Sequence, residues 1–318
     1  MVRLCILLFV ACIISPIARG QENAQEQYRK AFLQEQQGQY DEAIRGFEPI
    51  VASDALTLAD KGKAWTLLGY AYRETGQYQK AREAYERSLH IFEGDAEHRV
   101  DYANALDCFA GLSRSIGQPE PALRMWSQAL DIYKQLNEHR GILKTYANLA
   151  GLAMEQNRVR AAKSAIDKAV AETKTTNEFT DDDQALISEV QGWIAGQEGD
   201  MEAAIAGAQR TVELRKHSHG ECFPLTGWSY LILGRAYTAN GQIDEALASI
   251  REGLTILEKT EGQNAPRYLA GQILYSRALD KLGMHEEASR VKGSAEKSMR
   301  DLLRNQCVGC TLSASSFR

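Results

Sequence analysis

Cys307 and Cys310 stand two residues apart near the end of the chain, and His217, His219 and Cys222 cluster earlier. Two thiols at this spacing form a disulfide in an oxidising compartment, so Cys307 and Cys310 are a candidate disulfide. Redox catalysis would require a helix start beside them to lower a thiol pKa. The following Thr311-Leu312-Ser313-Ala314-Ser315-Ser316 does not read as a helix. A structural zinc site takes four ligands, and the pair supplies two; His217, His219 and Cys222 could complete the set only across a long stretch of chain. A redox or metal-dependent protein centred on Cys307 and Cys310 is therefore the alternative reading, and the expectation is no metal and no cofactor. Cys108, one residue before Phe109 in a helical stretch, reads as a small core residue.

The acidic run Asp181-Asp182-Asp183 could suggest calcium, but no glycine-bearing ligand loop follows it. Thr180 with Asp183 three residues on fits a helix capping box instead. The chain has no phosphate loop, dinucleotide fingerprint or His-Glu-x-x-His motif. It also lacks the Gly-x-Ser-x-Gly nucleophile motif. No residue is expected to be catalytic, and the protein is not expected to be an enzyme.

The elements that must position any site are repeats. A turn residue, an apolar residue two places on (His285 in the last copy), and an alanine three places later recur seven times, at Gly38, Gly76, Gly117, Asn157, Gly199, Gly241 and Gly283. The alanines, Ala43, Ala81, Ala122, Ala162, Ala204, Ala246 and Ala288, are spaced 38, 41, 40, 42, 42 and 42 residues apart. One supersecondary unit thus fills nearly the whole chain. In the clearest copy, Trp65, Leu68, Gly69 and Tyr72 share one helical face, and Gly76 ends that helix. A second helix then carries Ala81, Tyr85, Ser88 and Leu89 inward. Gly69 and Ala81 are small enough to let the two helices approach closely. The stretch from Trp228 repeats the pattern with Tyr230, Leu233, Gly234, Tyr237, Gly241, Ala246, Ile250 and Leu254.

This Trp/Leu/Gly/Tyr, Gly, Ala, aromatic pattern resembles the tetratricopeptide repeat family. The period near 42 exceeds the family's usual ~34 and is similar to that of kinesin light chains and related bacterial proteins. The resemblance implies an all-α fold: a right-handed superhelical solenoid of about seven antiparallel helix-turn-helix hairpins. Expected units lie near 24–55, 62–93, 103–136, 143–174, 185–216, 227–258 and 269–300, within a solenoid over 21–300 and ahead of a tail at 301–318.

The resemblance also implies a protein or peptide partner held on the concave surface. By matching positions, that surface would present Lys63, Tyr70, Arg73, Asn104, Asp107, Arg114, Lys144, Asn148, Glu189, Trp193, Trp228 and Arg235. Asn104 and Asn148 could each donate to and accept from a peptide backbone, or bridge neighbouring helices. Trp193 and Trp228 could be interface anchors or fillers between units. Some family members grip a partner's C-terminal carboxylate with a Lys and Asn pair. The aligned positions here hold Thr66, Tyr70, Asp107 and Gly111, so that clamp is not visible. Self-association through exposed end faces is a further expectation.

Ahead of the repeats, Arg3, an apolar run from Leu4 to Ile17 and Ala18-Arg19-Gly20 read as a secretory signal peptide over 1–20. The run is too short for a membrane anchor, so no integral span is expected once it is removed. The protein is expected to be exported, periplasmic or secreted. Acylation at Cys12 is disfavoured by Phe9 and by the apolar run continuing past the cysteine. Without the leader, 35 basic residues face 42 acidic ones. A net acidic chain with no basic run argues against nucleic acid as a partner.

Overall fold

Fourteen helices follow one another in the computed structural model, which describes residues 16–176 and 178–306. They pair as seven hairpins: α1 (Pro16–Gln36) with α2 (Tyr40–Ala52), α3 (Leu58–Glu74) with α4 (Tyr78–Phe92), α5 (Arg99–Ser115) with α6 (Pro119–Leu136), and α7 (His139–Glu155) with α8 (Val159–Glu172). Then come α9 (Asp181–Glu198) with α10 (Met201–His219), α11 (Pro224–Ala239) with α12 (Ile243–Thr260), and α13 (Pro266–Lys281) with α14 (His285–Gln306). No strand occurs among the described residues. The chain is an all-α superhelical repeat.

The recurring turn is a Schellman close. The turn residue sits at positive φ, as at Gly76 (76°) and Asn157 (57°). The next amide reaches back five residues, with Gln77 N donating to Tyr72 O at 2.7 Å and Arg158 N to Ala153 O at 2.8 Å. Left-handed backbone is cheap for glycine and tolerable for asparagine, which is why only these two types fill the position.

The small residues set the distance between helices. A Cβ on Gly69 would lie 2.8 Å from the Tyr85 ring, and one on Gly234 would lie 3.0 Å from the Ala246 carbonyl. Ala81, Ala122, Ala162 and Ala246 are fully buried beside these contacts. The core is consequently a chain of local clusters, each shared between neighbouring hairpins, as a quasi-one-dimensional array requires.

The superhelix winds tightly enough to touch itself. The turn at Gly38 rests on the start of α11, where a Cβ would meet Pro224 Cδ at 2.6 Å. The turn at Gly76 rests on the seventh hairpin, 3.3 Å from Pro266 Cγ and 3.2 Å from Leu302 Cδ1 by the same measure. In both cases the partner lies five hairpins further on. The last helix contributes as well: Leu303, near the end of α14, is buried in the core cluster of the first hairpins.

Candidate functional site

Because the ends of the superhelix meet, its concave face becomes the wall of a cavity of about 480 Å³. Hairpins two to seven all contribute to it. Tyr70, Arg73, Asp107, Arg114, Asn148, Glu189, Trp193, Trp228 and Arg235 line it. Lys63, Asn104 and Lys144 line a second cavity of about 470 Å³, beside Tyr28, Phe32 and Tyr133. Asp107 and Cys108 belong to both walls. Cys108 packs against the first core cluster, partly buried, and also borders both cavities. Burial and the neighbouring Asp107 push its thiol up to about 12, so it is no thiolate nucleophile at neutral pH.

The charges on the wall are mostly paired. Arg73 Nε donates to Glu74 Oε1 at 2.8 Å and its guanidinium lies 4.6 Å above the Tyr70 ring. It fits because α5 has a glycine there: a Cβ on Gly111 would be 2.5 Å from Arg73 Nη1. One repeat on, Arg114 lies over Gly151 and donates to Glu155 Oε1 at 2.7 and 2.9 Å. Arg267 pairs with both Glu74 and Glu261, donating to Glu261 Oε1 at 2.6 Å through Nη2. Burial opposes ionisation of Glu74, but Arg267 and Arg73 hold its carboxyl below the usual range. Burial dominates at Glu261 and pushes it up to about 7.

Asn148 Nδ2 donates to Asp107 Oδ1 at 3.4 Å, bridging α7 to α5, and Asn104 Oδ1 accepts from Tyr133 Oη at 2.7 Å. Both asparagines thus bridge helices while standing in cavity walls. Trp193 and Trp228 also do two things. Each packs against core clusters, and each lines the cavity; the Arg235 guanidinium lies 4.9 Å above the Trp193 ring. Lys63 pairs with Asp101 at 3.5 Å, and Lys144 with Asp183 at 3.9 Å.

The histidines and acidic triplet meet each other. Thr180 caps α9 in a capping box with Asp183, and Asp183 accepts from Arg140 Nε at 2.8 Å. Asp182 pairs with Arg215 and with His219 at 2.7 Å, and Asp181 pairs with His217. Among the described residues no three metal-ligating side chains gather, and no helix is long and apolar enough to cross a membrane. Cys307 and Cys310 lie outside the described residues, as do residues 1–15 of the expected leader.

Repeat register could not reveal Glu74, Trp126, Glu261, Arg267, Met299 or Leu303 as neighbours of this site. Arg267, Met299 and Leu303 reach the cavity from the seventh hairpin. They do so only because the superhelix closes, and its pitch has no local signature.

Family comparison matches tetratricopeptide repeats at residues 28–96 and again at 226–266. No curated protein sequence matches the chain significantly. Among solved structures, aspartyl phosphate phosphatase F from Bacillus subtilis is similar with a TM-score of 0.63 at 12% identity, over 93% of this chain and 74% of that one. A Rap protein complexed with competence and sporulation factor gives 0.57 at 15% identity, over 93% and 96%. BtubC (BKLC) from P. vanneervenii gives 0.49 at 16% identity, over 78% and 93%. The first two likenesses establish a shared fold.

Proposed function

We propose that this chain, a tetratricopeptide-repeat protein and so an interaction scaffold, holds a segment of a partner polypeptide in its concave cavity. One observation carries the reading: six consecutive hairpins turn aromatic, amide and charged side chains onto a single cavity of about 480 Å³. That volume lies in the range of ligand pockets, ~300–1,000 Å³, and a wall that mixes aromatic rings with charged and amide groups can orient a bound chain. The Rap protein solved with competence and sporulation factor supports it as an example of this fold accommodating a bound factor. The work of the protein is binding, as adaptor or assembly scaffold, and the leader over 1–20 directs it to an exported location.

A photo-crosslinking residue at position 193, inside the cavity, is compared with one at exposed position 86 on the outer helix α4. Adducts at 193 that map to one contiguous partner segment, and that disappear when Asn148→Ala is added, are the expected result. Adducts forming equally from position 86 would overturn the reading. The N-terminal residue of the secreted or envelope fraction tests export, with Gln21 expected.

A further inference from the structure

The fifth hairpin departs from the packing that the second to seventh otherwise share. Three equivalent positions on the first helix hold Trp65, Leu68 and Tyr72 on α3, and Tyr230, Leu233 and Tyr237 on α11. Two of the three are bulky on α5 (Leu106, Phe109), α7 (Tyr146, Leu149) and α13 (Tyr275, Leu279). On α9 they are Ser188, Gln191 and Ala195. Elsewhere such rings rise between the second helices on either side. Lys134 of α6 and Lys168 of α8 lie over the Tyr146 ring at 5.3 and 5.5 Å. Tyr72 donates to Glu48 of α2 at 2.5 Å, and Lys80 of α4 lies 5.1 Å over its ring.

Hairpin five supplies no such ring, and an outer groove of about 800 Å³ opens between α8 and α10. Ser188, Gly192 and Ala195 floor it, and Ala203, Ala206 and Gly207 form the α10 wall. The hairpin cannot close further over the gap, since α9 and α10 already touch at their backbones: a Cβ on Gly207 would lie 2.9 Å from Gly192 Cα. Two polar groups are left as a missing ring would leave them. Arg210 stands at the repeat position of Arg87, which lies 4.9 Å over Trp65, and of Lys168, which lies over Tyr146. Arg210 donates to Gln184 Oε1 at 3.3 Å and has no ring beneath it among the described residues. Ser188 is 6% exposed and lines the groove, and its hydroxyl makes no hydrogen bond among the described residues. Buried hydroxyls are ordinarily paired, and a guanidinium is attracted to an aromatic face.

We infer that this outer groove docks a helix of a partner protein that carries two aromatic residues two turns apart. Ser188 and Ala195 leave two empty ring places seven residues apart on α9, about 10 Å along the groove, which matches one face of an incoming helix at i and i+7. The first ring lies under Arg210 with its indole N–H or phenol hydroxyl on Ser188 Oγ, and the second covers Ala195. A lone aromatic molecule would fill one place and leave the other empty. A second copy of this chain offers no such face, because Phe32 is the one exposed aromatic side chain among the described residues. None of these groove residues lines the concave cavity, so the site is separate from the one proposed above and gives the scaffold a second hold.

The test titrates labelled, alanine-rich helical peptides against the purified protein and reads fluorescence anisotropy. One peptide carries tryptophans at i and i+7, one at i and i+5 on different faces, and one a single tryptophan. The i, i+7 peptide should bind at least about tenfold tighter than the others, as burial of a second ring implies. Ser188→Trp with Ala195→Tyr gives hairpin five the rings of hairpin two; it should remove this binding and raise the melting temperature, because the chain then fills its own groove. Ala206→Trp, on the exposed wall, should block the groove without entering the core, and it keeps the test decisive if the double variant fails to fold. Arg210→Ala should weaken binding about threefold. Failure of the i, i+7 peptide to bind, equal affinity for all three peptides, or binding untouched by Ala206→Trp overturns the proposal. N-acetyltryptophanamide binding as tightly as the i, i+7 peptide overturns it in favour of a small aromatic ligand. A dimer in sedimentation that Ala206→Trp dissolves overturns it in favour of a second copy. Crosslinking from position 193 reports on the concave cavity alone, so each reading fails separately.

Discussion

Arg267 of the seventh hairpin and Glu74 of the second form a buried ion pair, with Glu261 on the other side of the same guanidinium. Residues almost two hundred positions apart are thus joined, and with the contacts at Gly38 and Gly76 they fasten the superhelix shut. A buried pair is weak evidence for stability because desolvation offsets the attraction, yet removing one partner leaves the other charges stranded. Arg267→Met should therefore destabilise the protein by roughly 3–5 kcal/mol in urea denaturation and raise the radius of gyration in small-angle scattering. Neutralising the set together, as R73M/E74Q/E261Q/R267M so that Arg73 is not left without Glu74, should recover most of the loss. An unchanged radius and midpoint for R267M would remove the case for a fastened ring.

The same cluster makes stability depend on pH. Burial pushes Glu261 up to about 7 from an ordinary value of 4.5, against the pull of Arg267. Between those values the folded chain holds a proton that the unfolded chain releases. This group's contribution is fully present below pH 4.5 and is lost as pH rises through about 7. Glu74, held low, works in the other direction and loses its contribution on acidification. Glu261→Gln should selectively flatten the decline in unfolding free energy on the way up to neutral pH. A parallel pH profile for wild type and E261Q would contradict the assignment.

Glycine substitutions should separate packing from backbone entropy. Gly234→Val forces a side chain against Ile250 and the Ala246 carbonyl and should cost about 1–3 kcal/mol by overpacking. Gly293, exposed on α14, has nothing within 4 Å of a built Cβ. Gly293→Ala should stabilise by about 0.5–1 kcal/mol through helix propensity. Differential scanning calorimetry of the two variants should give melting shifts of opposite sign.

The capping box at α9 offers a local test. Thr180 Oγ1 accepts from the Asp183 amide, and Asp183 Oδ2 accepts from the Thr180 amide at 3.0 Å. Thr180→Ala should cost about 1 kcal/mol. Asp183→Ala should cost more, because Arg140 also loses its acceptor. Equal losses in chemical denaturation would mean that the Arg140 contact contributes nothing.

Much of the fold was legible because it is local. The turn glycines and Asn157 report positive φ within a few residues, and Gly69 opposite Tyr85 or Gly234 opposite Ile250 report helix contact within one hairpin. The acidic triplet was legible in part for the same reason, since Thr180 and Asp183 sit within one helical turn. Its pairing with His217, His219 and Arg215 was not, because those residues come from the far end of the next helix.

Sequence alone therefore determined the all-α class, the register of the repeat, and which residue types ride on the inner helices. Tertiary structure decided that the concave face is folded into a half-open cavity shared by six hairpins. It brought Arg267 to Glu74 and Leu303 into the first core cluster. The physical reason is accumulation. Each hairpin adds a small rotation fixed by side-chain packing, and only the sum over five hairpins determines whether the ends meet.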